Sequence, residues 1–79
     1  MTSLSMPLSS LKLGEKSNVV YLDVKGLLRR RILDLGIVPG TVLTCVGKAP
    51  TGDPIAYLVR GTVIALRSED ASLIFVKQS

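Results

Sequence analysis

The sequence contains no histidine, no tryptophan and a single cysteine, Cys45. Without histidine it lacks the side chain used most often as a general base near neutral pH and as a ligand for zinc. A single cysteine cannot form an intramolecular disulfide, so a disulfide framework is excluded. Cys45 lies between Thr44 and Val46 in an apolar segment, with no base in view. This context favours a buried structural thiol over a nucleophile.

Long apolar runs and clustered carboxylates are also missing. No stretch approaches the ~20 residues of a transmembrane helix, and the N-terminus lacks the basic start and apolar core of a signal peptide. We therefore predict a cytoplasmic protein. The acidic residues are scattered except for Glu69 and Asp70, which suit the start of a helical turn better than a metal site. No glycine-rich phosphate loop is present. We expect no enzymatic activity, no catalytic residue, no cofactor and no intrinsic metal site.

The 79 residues, of which 47% are hydrophobic, fit one small globular domain. Ten lysines and arginines against six acidic residues give a net charge of +4, which permits an anionic partner such as nucleic acid, anionic lipid or an acidic protein face. The aromatic residues are few and do not alternate with basic ones. A small basic nucleic-acid-binding module is therefore the alternative interpretation and not the leading one.

The stretch from Leu27 to Thr41 carries the strongest local signals. A helix is predicted from Gly26 to Leu35, because one apolar stripe runs along it at helical spacing, formed by Leu28, Ile32 and Leu35. Gly36 predicts the helix end, since glycine takes the left-handed conformation without a Cβ clash. The following Val38–Thr41 segment, with proline second and glycine third, predicts a type II turn.

The rest of the chain predicts a mainly β fold. Residues 1–7 show no periodicity, and we expect a flexible N-terminus followed by one domain over residues 8–77. A turn at residues 7–11 should place two leucines in the core, and a single helical turn should begin at Ser68. The fold class predicted is a small, partly open β-barrel of about five strands with one short helix inserted after the first strand. The predicted strands are residues 17–24, 41–48, 55–60, 62–67 and 73–77.

Two arginines and one leucine on the predicted helix, Arg29, Arg30 and Leu33, form the candidate partner-binding site. Arg29, Arg30 and Arg31 fan over about 200°, so they cannot all point one way. They could cover apolar surface with their stems, contact an acidic protein or contact nucleic acid. Leu33 projects about 140° away from Leu28 and lies beside Arg29. We predict Leu33 as an apolar contact and Arg29 and Arg30 as its charged rim; packing against the barrel flank or plain exposure is the alternative for Leu33.

Several segments resemble the FeoA family in order and spacing. These are PLSSLKLGEK before the first strand, the run from Leu28 to Thr41 that ends LDLGIVPGT, and GDPIAYLVRGTVIALRSEDASLIFV. Together they cover roughly Leu8 to Val76. The matching positions are Arg31, Ile32, Leu35, Gly36, Pro39, Gly40, Gly52, Asp53, Pro54, Ile55, Gly61, Ala65, Leu66, Arg67, Ala71, Ile74 and Val76.

The resemblance implies an SH3-like β-barrel and a role in ferrous iron transport. It implies a small cytosolic accessory that regulates FeoB, the membrane permease with a GTP-binding domain, through protein contact and without a small-molecule substrate. Recruitment to the inner face of the membrane would follow from that contact. Transition-metal binding is implied only at the level of the family, and self-association is left open. Similar domains occur in DtxR-type repressors, but this sequence shows no preceding helix-turn-helix region, so we expect no repressor.

Overall fold

The structure, a computed structural model, describes residues 5–79. The predicted flexible N-terminus falls largely on residues 1–4, which lie outside the described residues. Over these residues the fold consists of six strands, two helices and a 3-10 turn. In chain order they are β1 (Met6–Pro7), the 3-10 turn (Leu8–Ser10), β2 (Lys16–Leu22), α1 (Gly26–Asp34), β3 (Val42–Lys48), β4 (Ile55–Val59), β5 (Thr62–Leu66), α2 (Ser68–Ala71) and β6 (Ile74–Gln78).

All six strands join in one antiparallel sheet with the order β1-β6-β2-β3-β4-β5. The mainly β class and the helix inserted after the first long strand are confirmed. The barrel is not closed, because β1 and β5 end the sheet and do not pair within residues 5–79. The strand count also differs from the predicted five. The extra strand is Met6–Pro7, which pairs with Val76 and Phe75 and is too short to show a periodicity in the sequence.

The alternation of buried and exposed side chains follows the sequence pattern in β4 but not in β2. Ile55, Tyr57 and Val59 are buried as their period of two predicts. In β2 and the residues after it, Val19 and Val24 are both buried whereas Val20 is exposed, although strict alternation would place Val20 and Val24 on one face. The register of β2 against β6 shifts between Val19 and Tyr21. Such a bulge changes which side chains face the core, and a strict alternation cannot anticipate it.

The core lies between the curved sheet and the segments that cross it. The 3-10 turn contributes Leu8 and, just after it, Leu11, both buried as predicted. Helix α1 contributes Ile32, with Leu28 partly buried beside it. Leu35, the third member of the predicted stripe, is exposed, because α1 ends at Asp34 and the backbone turns away. The remaining buried apolar side chains are Val19, Val24, Ile37, Leu43, Cys45, Ile55, Tyr57, Val59, Leu66, Ala71, Ile74 and Val76.

Tyr57 links β4 to the N-terminal part of the chain. Its side chain is fully buried, and its hydroxyl donates a hydrogen bond to the Leu8 carbonyl oxygen over 3.3 Å. Burial, and secondarily the neighbouring Cys45, raises the pKa of the Tyr57 phenol above its ordinary value. The buried phenol is therefore held in its neutral, hydrogen-bonding form.

We expect Tyr57 to make the fold sensitive to alkali. The unfolded phenol has a pKa of about 10, and the folded pKa is higher. Stability from this group is therefore present below pH ~10 and falls as the pH rises above it, because only the unfolded chain ionises readily. Urea unfolding of the native chain should show a declining midpoint above pH ~10. Tyr57→Phe should cost about 1 kcal/mol at neutral pH through the lost hydrogen bond and should show a smaller alkaline decline. An equal decline in both proteins would contradict the assignment.

Candidate partner-binding surface

Helix α1 ends in a Schellman motif, which fixes the path of the backbone after the helix. Gly36 takes φ +89°, and its N–H donates to the Leu33 carbonyl over 2.9 Å. The N–H of Ile37 reaches back to the Ile32 carbonyl over 3.2 Å. Ile32 and Ile37 are both buried, as the apolar contact of this motif requires. The predicted helix end at Gly36 thus has its expected geometry.

Thr41 joins this helix end to the turn that follows. The Thr41 N–H donates to the Val38 carbonyl over 2.9 Å, and Gly40 has φ +93°, which fits the predicted type II turn. The buried Thr41 hydroxyl donates to the Gly36 carbonyl over 3.0 Å and accepts from the Val38 N–H over 3.2 Å. The Thr41 side chain therefore provides hydrogen-bond partners for two backbone groups at the helix end, the Gly36 carbonyl and the Val38 N–H. Sequence reasoning missed this role of Thr41.

Arg29 holds the other half of the helix against the sheet. Its Nη1 donates to the carbonyl oxygens of Leu22 and Val24 over 3.4 and 3.5 Å. These carbonyls lie at and just after the end of β2, so the guanidinium connects the helix to the strand before it. Arg30 is exposed. Of the predicted charged rim, Arg30 therefore projects outward, whereas Arg29 is partly engaged within the domain.

The apolar member of the predicted site, Leu33, is half-buried. The most exposed large apolar side chain of α1 is Leu27, at 89%, which sequence reasoning did not single out. Leu27, Arg30 and Arg31 are spaced i, i+3 and i+4, so they share one side of the helix. All three are exposed, as is Asp34 one turn further on. We call Leu27, Arg30, Arg31 and Asp34 the outer face of α1.

Arg60 adds a cation near the C-terminal end of α1. It lies in the two-residue loop between β4 and β5, and both loop residues have positive φ, at +51° for Arg60 and +82° for Gly61. A Cβ placed on Gly36 would lie 3.6 Å from the Arg60 Cδ and Nε atoms. A cation at this position complements the negative end of the helix. Only the fold brings Arg60 beside Gly36, so no local pattern could have predicted it.

Asp53 has a structural role at the start of α2. Its carboxylate accepts hydrogen bonds from the Ser68 N–H over 2.7 Å and from the Ser68 hydroxyl over 3.2 Å. The sequence predicted that Ser68 would cap this turn, but Asp53 supplies the capping oxygen from the β3–β4 loop. A shallow cleft of about 280 Å³ beside it is lined by Asp53, Pro54 and Arg67. Within the described residues, no group of three or more cysteine, aspartate or glutamate side chains could hold a metal ion.

The comparison with known protein families decides the assignment of the chain. The sequence model of the FeoA domain matches residues 6–78. The chain belongs to the FeoA family. The family that the sequence resemblance implied is thereby confirmed. The ferrous iron association and the SH3-like fold of this family are supported by the relatives described next.

One curated relative carries this FeoA domain in a much longer chain. It is the Fe(2+) transport protein A/Fe(2+) transporter FeoB fusion protein of Porphyromonas gingivalis, 39% identical over 72 residues. The match covers 91% of this chain but only 8% of the relative. The FeoA chain described here therefore spans a small part of that fusion protein.

Solved FeoA structures share the fold over nearly the whole chain. A FeoA-like protein from Clostridium acetobutylicum is 38% identical, with a TM-score of 0.87 over 99% of this chain and 90% of its own. FeoA from Stenotrophomonas maltophilia, solved with zinc and described as an SH3 domain protein, is 32% identical, with a TM-score of 0.81 over 94% and 95% of the two chains.

The same fold occurs in proteins of another kind. A manganese-dependent transcriptional repressor superposes with a TM-score of 0.88 at 19% identity, over 100% of this chain and 44% of that one. Identity this low shows a shared fold and nothing about function. Of the helices that the structure describes, none has the length and apolarity needed to cross a bilayer.

Proposed function

We propose that this FeoA protein is a cytoplasmic accessory of ferrous iron transport that acts by direct contact with a FeoB-like membrane GTPase and carries out no catalysis itself. The observation that carries the proposal is the Porphyromonas gingivalis relative, in which a domain 39% identical to this chain is covalently joined to FeoB. Joining two domains in one polypeptide raises the effective concentration of one near the other. Such an arrangement is favourable when the two parts work in contact.

The outer face of α1 is the best-supported contact surface. A leucine exposed to 89% beside two exposed arginines offers an apolar anchor with a charged rim, which is the usual composition of a binding centre and its border. The cap at Gly36 and the Arg29 hydrogen bonds to the Leu22 and Val24 carbonyls connect the helix to the rest of the domain, which limits the ordering needed on binding. Leu33, the anchor predicted from sequence, is a second candidate because its side chain is only partly buried.

The proposal predicts recovery of FeoB from native membranes. The immobilised chain should retain a FeoB-like membrane GTPase of the same cell from detergent-solubilised membranes, and mass spectrometry should identify it. The matched control is the Leu27→Ser variant on the same resin, which keeps the fold and removes the proposed anchor. Recovery of nucleic acid and no FeoB, at physiological salt, would instead support the basic-module alternative.

The aromatic residues give that alternative little support. Tyr21 and Phe75 stack on each other with ring centroids 4.7 Å apart and planes 6° from parallel. Each ring therefore already uses one face within the domain, and Tyr57 is buried. Single-strand binding relies on aromatic faces that bases can stack on, so the contact with a protein is the function that we advance.

We expect no stoichiometric metal binding by the purified chain. Ferrous iron and zinc sites use histidine, cysteine or grouped carboxylates, whereas this sequence has no histidine and its one thiol, Cys45, is buried. Isothermal titration with zinc or anaerobic ferrous iron at about 10–100 µM protein, the range in which micromolar affinities are resolved, should give no saturable heat. A one-to-one isotherm that disappears in Glu69→Gln/Asp70→Asn would overturn this expectation.

A further inference from the structure

The two edges of the sheet are built differently. β1 forms one edge with only two residues, the second of which is a proline without an N–H group. Short length and proline are two ways in which proteins prevent a sheet edge from pairing with another strand. β5 forms the other edge with five residues, TVIAL, and its register against β4 is regular throughout. It contains no charge, no proline and no bulge, so this edge lacks those protections.

The outward-facing groups of β5 can be assigned from the hairpin register. Val59 pairs with Thr62 across the two-residue loop, and Tyr57 pairs with Ile64. Hydrogen bonds alternate along an antiparallel strand, and the pair that closes a two-residue loop is a bonded one. Thr62, Ile64 and Leu66 therefore bond to β4, whereas Val63 and Ala65 turn their N–H and C=O groups outward. Within residues 5–79 no strand pairs with this side of β5.

We propose that a second copy of this chain pairs with β5 through its own β5, antiparallel and about a twofold axis at Ile64. Val63 then faces Ala65 of the second copy, and Ala65 faces Val63. Because these are the residues whose backbone groups point outward, each of the two facing pairs exchanges both of its N–H···O bonds. The surface is self-complementary, as a twofold interface must be.

The charges that flank β5 make the second copy a better partner than an arbitrary strand. Arg60 comes just before the strand, and Glu69 and Asp70 lie in the first turn of α2 just after it. Antiparallel pairing centred on Ile64 places Arg60 of each copy beside the acidic turn of the other. Arg67 falls opposite Gly61 of the other copy, which has no side chain to obstruct it. Opposite charges therefore meet at both ends of the paired strands.

The dimer should be weak and reversible. A five-residue edge buries much less surface than the interfaces of stable complexes, so we expect a dissociation constant on the order of 100 µM. Sedimentation equilibrium from about 10 µM to about 1 mM should then pass from monomer to dimer. Ala65→Pro should abolish the association, because it removes an outward N–H and leaves the bonds to β4 in place. Ala65→Ser, which keeps that N–H, is the matched control and should dimerise like the native chain.

Cross-linking tests the register itself. In a Cys45→Ser background, Ile64→Cys should form an intermolecular disulfide on oxidation, because residues facing each other in a non-hydrogen-bonded pair have Cα atoms about 4.5 Å apart. Val63→Cys should not, because Val63 faces Ala65 and its counterpart is displaced along the strand. Thermal melting confirms that each variant is folded.

A charge exchange provides a variant that leaves the strand untouched. Arg60→Glu should weaken the dimer about tenfold or more, and Arg60→Glu combined with Glu69→Arg should restore it. A chain that stays monomeric at about 1 mM, equal cross-linking by Ile64→Cys and Val63→Cys, or a dimer that survives Ala65→Pro each overturn the proposal. If the native chain is a monomer and Ala65→Pro also fails to recover FeoB, the β5 edge pairs with FeoB and not with a second copy, and the proposal is again overturned.

Discussion

Gly36→Ala is expected to lower the free energy of unfolding by about 1–2 kcal/mol. The reason is conformational, because Gly36 has φ +89° and an L side chain in that region clashes with its own backbone. The space for a Cβ is adequate, since the nearest side-chain atoms of Arg60 would lie 3.6 Å away. The loss should therefore come from the backbone conformation and not from overpacking.

Gly47→Ala is the matched control for that measurement. A Cβ on Gly47 would meet the Ala56 Cβ, also at 3.6 Å, and Gly47 is not among the glycines with positive φ. Alanine there should leave stability unchanged or raise it by up to about 1 kcal/mol, because it restricts the unfolded chain. Urea unfolding of both variants gives the comparison. If the two substitutions had equal effects, the Schellman cap would not be what ends α1.

Leu27→Ser is expected to weaken binding to FeoB about tenfold or more while leaving the melting temperature unchanged. The side chain is 89% exposed, so the free protein loses almost no packing when it is shortened. Leu13→Ser is the matched control, because Leu13 is also strongly exposed but lies in the turn before β2. That variant should bind FeoB at full strength. Binding by biolayer interferometry and melting by differential scanning fluorimetry on the same samples give the answer.

Parallel variants separate Leu27 from the site predicted by sequence. Leu33→Ser should lower the melting temperature, because Leu33 is half-buried; a loss of binding without a change in melting would make Leu33 the anchor instead. Arg30→Glu should weaken binding mainly at low salt, as rim charges do. Arg29→Glu should also destabilise the fold, since its guanidinium contacts two backbone carbonyls. If Leu27→Ser and Leu33→Ser both bound FeoB at full strength, α1 would not be part of the contact surface.

The features that sequence reasoning predicted well depend on neighbouring residues. Gly36 ends the helix and Gly40 completes the turn because each needs a positive φ that glycine adopts easily, and both act within a few residues. The helical turn over Ser68–Ala71 was likewise signalled by the acidic residues at its start. The register of a hairpin is similarly local, so the alternation in β4 was correct.

The features that were missed depend on contacts between distant segments. Asp53 caps α2 from the β3–β4 loop, and Arg60 lies against Gly36 only because the β4–β5 loop folds beside the helix end. The exposure of Leu27 was missed for a related reason. Leu27 precedes Leu28 of the apolar stripe in sequence, but the sequence does not show which side of the helix the sheet covers. The packed structure shows that the sheet leaves Leu27 exposed.

The position of β6 has a consequence for how the protein is made. This strand is the last in the sequence, yet it lies between β1 and β2 and pairs with both. Because β6 is synthesised after the other five strands, β1 and β2 cannot pair with it until it has left the ribosome. The β3–β4–β5 meander, whose pairings are local, can form earlier. The nascent chain therefore exposes the apolar faces of β1 and β2 until β6 has left the ribosome.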